Sequence, residues 1–180
     1  MQFVYTDQNS TGFSARQAGL GVSETIAVSG GKDYLEILPS SNFILQVADD
    51  AFVRFAAART LARARMDDMR ASRNYSFDNG KNNGNASADQ NSPWSASGGN
   101  PTLTPYIADV ADISFEKYFA NRKGYISLAA FYKHLESYVY NHDQIFDFTG
   151  YPTGGVTPVI NFGKSSAPDN GEGGWIKGLE

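Results

Sequence analysis

Apolar and polar side chains alternate along two 14-residue stretches of the chain, 34–47 and 106–119, and alternation of period two predicts β-strands. In the first stretch one face would carry Phe43, Leu45 and Val47. The second stretch would place these apolar residues on one face: Ile107, Ala111, Ile113, Phe115 and Phe119. Pro39 has no backbone N–H to donate, so we expect an edge position or a bulge there. Residues 3–16 are polar and predict a weaker strand.

Two further stretches fit either a strand or a helix. In 125–140, alternate residues would share a strand face, but Leu128, Phe131, Leu135 and Tyr138 would also form a helical stripe. The stretch 52–63 is rich in alanine, and no Gly or Pro interrupts it as far as Met69. The short connection "NRKG" favours a hairpin of 106–119 with 125–140, so we interpret 125–140 as a strand. For Val53–Met69 we favour a strand, and a helix stays open.

The lengths of the connections predict the architecture. We expect antiparallel strands 34–47, 52–63, 106–119 and 125–140, paired in that order, with short turns at Asp49–Asp50 and Arg122–Gly124. Long loops would occupy about 65–105 and 141–174. Compact soluble domains rarely carry two such loops, whereas transmembrane β-barrels have short turns at one end and long loops at the other. The predicted fold class is therefore all-β, with antiparallel strands of a transmembrane β-barrel.

Composition narrows the choice of class. Aromatic residues make up 13% of the chain and there are 18 glycines, which suits a β-rich protein with many turns. There is no cysteine, so disulfides and thiolate metal sites are excluded. A net charge of -4 gives no basic footprint, so we expect no nucleic-acid partner. The opening residues "MQFVYTDQNS" lack the basic and apolar regions of a signal peptide.

Three stretches resemble TonB-dependent outer-membrane receptors. "YLEILPSSNFILQVADDAFVRFAAARTLAR" resembles one barrel hairpin of that family, and "GNPTLTPYIADVADISFEKYFANRKGYISLAAFYKHLESYVY" resembles the next. "GWIKGLE" is similar to the start of the strand that follows, so the resemblance spans about Tyr34–Glu180.

The resemblance implies a partial receptor barrel over 1–180, lacking plug and signal peptide, with about five complete strands and two unpaired edges. It implies a location in the outer membrane, in contact with lipid. It also implies a small-molecule ligand (sugar or siderophore-like) and contact with the TonB system through a plug that this chain lacks. In such a barrel Ile107, Ile113, Phe115 and Phe119 would face lipid.

Aromatic residues in the long loops are the candidate ligand contacts. Flat apolar side chains beside Asn and Asp suit a sugar or a siderophore. The candidates are Tyr75, Phe77, Trp94, Phe146, Phe148, Tyr151 and Trp175. The competing interpretation is structural, because aromatic residues also pin loops to a barrel rim or form girdles at the membrane interface. We expect the loop 65–105 to be mobile unless its aromatic residues dock on a neighbour.

Other chemistry has no support in the sequence. His134 and His142 have no third ligand at a suitable spacing, so we expect no metal site and no cofactor. "DNGKNNGNASAD" lacks the final glutamate of a calcium loop, and no G-x-S-x-G motif is present, so we expect no enzyme. The alternative to a receptor is a soluble mixed α/β binding or structural module without catalytic activity. Such a module would bury the following residues in one core: Phe115, Phe119, Leu128 and Phe131.

Overall fold

Nearly all regular structure in the chain is β-strand. The computed structural model describes residues 1–18, 23–119 and 123–180. The strands are β1 (Gln2–Ala18), β2 (Ser23–Leu38), β3 (Ser40–Ala48), β4 (Ala51–Ala62), β5 (Arg73–Phe77), β6 (Trp94–Gly98), β7 (Tyr106–Phe119), β8 (Gly124–Asp147) and β9 (Phe162–Leu179). A 3-10 turn spans Asn79–Lys81. Within the described ranges, no helix has the length and apolar character needed to cross a membrane.

The strands form one nearly closed, barrel-like sheet. Its order is β2-β1-β5-β6-β9-β8-β7-β4-β3. The first and last strands of this order, β2 and β3, are separated in the chain only by Pro39. The backbone N–H of Arg59 on β4 donates a hydrogen bond to the Pro39 carbonyl at 2.9 Å, so β4 is bonded to the residue that separates β2 from β3. The two ends of the sheet are thus consecutive pieces of one chain.

The predicted hairpins are confirmed. β4, β7 and β8 pair antiparallel in the predicted order, with Phe55 opposite Ile113 and Ile113 opposite Ala130. The stretch Val53–Met69, for which a helix stayed open, is strand β4 as far as Ala62, so the helical alternative is wrong. The turn at Asp49–Asp50 is present. Arg122, at the predicted second turn, lies outside the described residues.

Three expectations about boundaries need correction. The stretch 34–47 is not one strand, because Pro39 divides it and 34–38 pairs with β1 while 40–48 pairs with β4. The segment 65–105 is not a structureless loop, since it contains β5 and β6. The connection after β8 covers only 148–161, which is shorter than the predicted 141–174, because β8 continues to Asp147. Within the ranges that the structure describes there are nine strands, where about five complete ones were expected.

The hairpin of β5 and β6 fills the gap between β1 and β9. β5 runs parallel to β1 over four residue pairs, and β6 runs parallel to β9 over three. The hydroxyls of Ser10 and Ser14 on β1 accept hydrogen bonds from the N–H groups of Ala71 and Arg73, each at 2.9 Å. An unpaired sheet edge is costly, so this insert covers edges that were expected to be open.

The long strands have one apolar and one polar face. The apolar face, defined here by residues that are each at least 40% exposed, includes Phe43, Leu45, Val47, Phe55, Ile113, Phe115, Phe119, Ile126, Leu128, Tyr132 and Leu179. Several are direct cross-strand neighbours, such as Phe115 and Leu128. Ile107, which was expected to face lipid, is only 8% exposed and does not belong to this surface.

The opposite face is polar near the short turns. Arg54 on β4 donates two hydrogen bonds to the Glu116 carboxylate on β7, at 3.1 and 3.3 Å. The Tyr118 hydroxyl donates to the same carboxylate at 3.0 Å. The two faces of the same strands therefore differ sharply in polarity, as the alternation in 106–119 predicts.

The antiparallel ladder between β8 and β9 contains one local irregularity. The ladder pairs Leu135 with Gly174 and Ser137 with Glu172, so Gly173 lies between two registered pairs. A Cβ atom on Gly173 would overlap the carbonyl oxygen of Leu135, whereas one on Gly174 would meet open space. Close approach of two backbones is a usual reason for glycine within a strand.

Candidate functional site

Six of the seven predicted aromatic residues pack together in one place, here called the loop cluster: Tyr75, Phe77, Trp94, Phe146, Phe148 and Tyr151. Trp94 is central. Its ring stacks on Phe148 with centroids 5.1 Å apart and planes inclined by 3°, and it lies 4.7 Å from Phe77. Phe77, Trp94 and Phe148 are 1%, 3% and 0% exposed, so they form a small core at the ends of the strands.

Four elements bring the cluster together. β5 supplies Tyr75 and Phe77, β6 begins with Trp94, β8 ends beside Phe146, and the connection 148–161 adds the others. Gly163 on β9 lies directly against the backbone of Trp94, and a Cβ atom there would overlap the Trp94 carbonyl. The indole N–H of Trp94 donates to the carbonyl of Ile160 at 3.0 Å, which satisfies its only polar atom.

The outer layer of the cluster is partly open to solvent. Tyr75, Phe146 and Tyr151 are half-buried and contact one another, with Tyr75 and Tyr151 centroids 5.1 Å apart. The Arg16 guanidinium on β1 lies over the Tyr151 ring, 4.2 Å from its centroid. Arg16 also forms an ion pair with Glu24 at 3.4 Å. Its Nε is buried and has no hydrogen-bond partner among the described residues.

Burial also changes the acidity of this outer layer. Desolvation raises the pKa of the Tyr75 phenol above its ordinary value, and the neighbouring Tyr151 adds to the effect. The Tyr75 phenol is therefore neutral throughout the physiological range, with a wider margin than an ordinary tyrosine. A neutral phenol next to a guanidinium offers both a hydrogen-bond donor and a positive charge.

Polar bonds join the two connections that carry the cluster. The side-chain amide of Asn82 donates to the Thr157 carbonyl at 3.0 Å and accepts from the Val159 N–H at 2.8 Å. The Ser92 hydroxyl donates to the Phe162 carbonyl at 2.7 Å. The segment that contains β5 and β6 is thus bonded to 157–162 at several points.

Trp175 is not part of the loop cluster. It lies on β9 and is 60% exposed, with the Lys177 ammonium 4.9 Å from its ring centroid.

Sequence reasoning also missed Arg16 and Asn82. A lone arginine in a polar strand and one asparagine in an Asn-rich loop carry no distinguishing signal, because their partners are distant in sequence.

The two histidines show no metal geometry. His142 lies 3.5 Å from Asp169 and stacks against Tyr140. Across the residues that can be described, no three His, Asp or Glu side chains are close enough together to hold a metal ion.

Comparison with protein families resolves the origin of the fold. Residues 2–180 match the family described as "TonB dependent receptor-like, beta-barrel". The chain belongs to this family. A comparison with curated protein sequences finds no match.

Solved structures of siderophore and ferric enterobactin receptors share the fold. A mutant of the ferric enterobactin receptor PfeA from Pseudomonas aeruginosa matches with a TM-score of 0.57 and 14% identity, over 86% of this chain and 21% of that one. The siderophore receptor PirA from Acinetobacter baumannii matches with a TM-score of 0.56 and 13% identity, over 98% of this chain and 24% of that one. The chain therefore spans about a quarter or less of these two receptors.

The apolar face separates a TonB-dependent receptor barrel from the soluble alternative. A soluble module would bury Phe115, Phe119, Leu128 and Phe131 in one core. The first three are 40%, 48% and 59% exposed, and Phe131 is only half-buried. The buried apolar residues instead lie mainly in the loop cluster and the segment that carries β5 and β6. Large apolar side chains exposed along adjacent strands are typical of a surface that meets lipid.

Proposed function

We propose that this chain supplies barrel wall and ligand-facing loops to a TonB-dependent receptor that imports a scarce nutrient across the outer membrane. The observation that carries the proposal is the contrast between the exposed apolar face and the ion-paired polar face of β4 and β7. The apolar face would meet outer-membrane lipid, and the TonB system would act through a plug outside this chain. Receptors of this kind transport rather than catalyse, so we propose no enzymatic role.

We infer that the ligand is siderophore-like, with a sugar as the second candidate. The aromatic outer layer of the loop cluster suits both classes. The positive charge of the Arg16 guanidinium, which is partly exposed and lies over Tyr151, favours an anionic ligand oxygen and therefore a siderophore. In the loop cluster Phe77, Trp94 and Phe148 would support the site from within, while Tyr75, Phe146 and Tyr151 would touch the ligand.

Binding to the chain reconstituted in detergent micelles tests this assignment. The probes are a ferric tris-catecholate, ferric citrate and a neutral oligosaccharide, followed by quenching of tryptophan fluorescence. We expect the ferric catecholate to bind, and Tyr151→Ala to weaken binding about 10-fold, because a desolvated cation–π partner contributes roughly 1–2 kcal/mol.

Trp175→Ala is the matched control, since it removes an aromatic side chain far from the cluster. We expect it to leave affinity unchanged. Equal losses for Trp175→Ala and Tyr151→Ala would contradict the loop-cluster site. If only the oligosaccharide binds, the ligand class is a sugar and not a siderophore.

A further inference from the structure

The two long connections of the barrel meet along one asparagine side chain. Asn82 bonds both Thr157 and Val159, using its amide N–H₂ as donor and its carbonyl oxygen as acceptor. A side-chain amide reproduces the donor and acceptor of a peptide group. Asn82 therefore pairs with 157–159 much as a neighbouring strand would.

Further bonds hold the same two segments at the other end of the contact. Ser92 and Trp94 donate to the carbonyls of Phe162 and Ile160. Each segment is also closed on itself, because Asp78 N–H donates to the Pro93 carbonyl at 2.8 Å and Phe148 N–H donates to the Asn161 carbonyl at 2.7 Å. Neither segment can leave without breaking bonds to the other and exposing the loop cluster.

We propose that the segments 73–98 and 148–161 form one cooperative unit of local unfolding, here called the cap, and that Asn82 is the positioning residue that couples them. The inference rests on the proposed function in one respect only, namely that this cap presents Tyr75 and Tyr151 to the ligand. Asn82 lies outside the aromatic packing and acts through 157–159, so it need not touch a ligand itself.

The side chain chosen at this position follows from its two bonds. Alanine would remove both. Aspartate would keep the acceptor for Val159 N–H, but it would place an anionic oxygen against the Thr157 carbonyl in place of a donor. Both substitutions should therefore release 157–159, whereas a substitution at exposed Asn85 on the same loop should not.

Hydrogen exchange on the reconstituted chain tests the coupling without any ligand. In Asn82→Ala we expect amide exchange to rise about 5- to 30-fold, the factor that corresponds to two lost hydrogen bonds. The rise should appear in 156–161 and also in 73–77, on the opposite segment. Asn82→Asp should behave similarly, and Asn85→Ala should match the unmodified chain.

Two results would overturn the proposal. One is unchanged exchange in 156–161 when Asn82 is replaced by alanine. The other is a rise in 156–161 with none in 73–77, which would mean that the segments move separately. If the unmodified chain binds neither siderophore nor sugar, the proposed function fails, but these exchange results still decide the coupling. Where the ferric catecholate binds, we expect it to dissociate several-fold faster from Asn82→Ala than from Asn85→Ala.

Discussion

Tyr75 shows how a single residue reports on the packing of the loop cluster. Its pKa is raised in the folded chain by burial and by Tyr151, so the folded state favours the protonated phenol. The resulting stabilisation is complete below the unfolded pKa, which is about 10, and it is lost as pH rises from there through the folded pKa.

We therefore expect the folded chain to lose stability above about pH 10. Tyr75→Phe should weaken that loss, because phenylalanine has no proton to release. The measurement is the midpoint of urea unfolding, in micelles, at several pH values on either side of 10. Tyr5→Phe, at an exposed position on β1, controls for the removal of a hydroxyl. Parallel pH curves for the unmodified chain and Tyr75→Phe would refute the buried-phenol account.

At the scale of elements, the β8–β9 ladder depends on the irregularity at Gly173. We expect Gly173→Ala to destabilise the chain by about 2–4 kcal/mol, because the new methyl group would force two backbones apart. Gly174→Ala, one residue away and facing open space, should cost less than about 1 kcal/mol. Chemical denaturation of both variants gives the comparison. Similar losses would contradict the close approach of backbones at Gly173 as the cause.

The sequence predicts some elements well and others poorly. β4, β7 and β8 follow from alternation and short turns, which are local signals. β5 ("RNYSF") and β6 ("WSASG") do alternate in burial, but with five residues each they are too short to stand out from the Asn-, Ser- and Gly-rich segment around them. Their strand structure depends on pairing with the edges of β1 and β9 and on hydrogen bonds to hydroxyl groups such as that of Ser14. All of these partners are distant in sequence. The aromatic residues of the loops were identifiable one by one, but their packing depends on those same distant pairings.

At the scale of the whole molecule, the apolar face governs behaviour in solution. Phe43, Ile113 and Phe115 are 59%, 50% and 40% exposed within the described part of the chain. Each large apolar side chain left in water costs roughly 1.5–3 kcal/mol relative to burial. We expect the purified chain to associate in plain buffer and to run as a single species of 19.6 kDa plus bound detergent in micelles.

Size-exclusion chromatography with light scattering measures this difference. Replacing Phe43, Ile113 and Phe115 together by threonine should reduce association in buffer. Replacing Asn42 and Ala56, cross-strand neighbours on the opposite face, by threonine should not. A sharp monomer peak without detergent, from the unmodified chain, would speak against a lipid-facing surface.

Pro39 has a consequence for how such a wall can vary. β2 and β3 are consecutive in the chain. β2, before the proline, pairs with β1, and β3, after it, pairs with β4. Because the proline separates the two ladders, a shift of pairing in one hairpin is not transmitted to the other. A two-residue insertion at the β1–β2 end would lengthen that hairpin and leave the facing of β3 and β4 unaltered. The length of the β1–β2 hairpin can therefore change without altering β3 and β4, the part of the wall that matches the thickness of the bilayer.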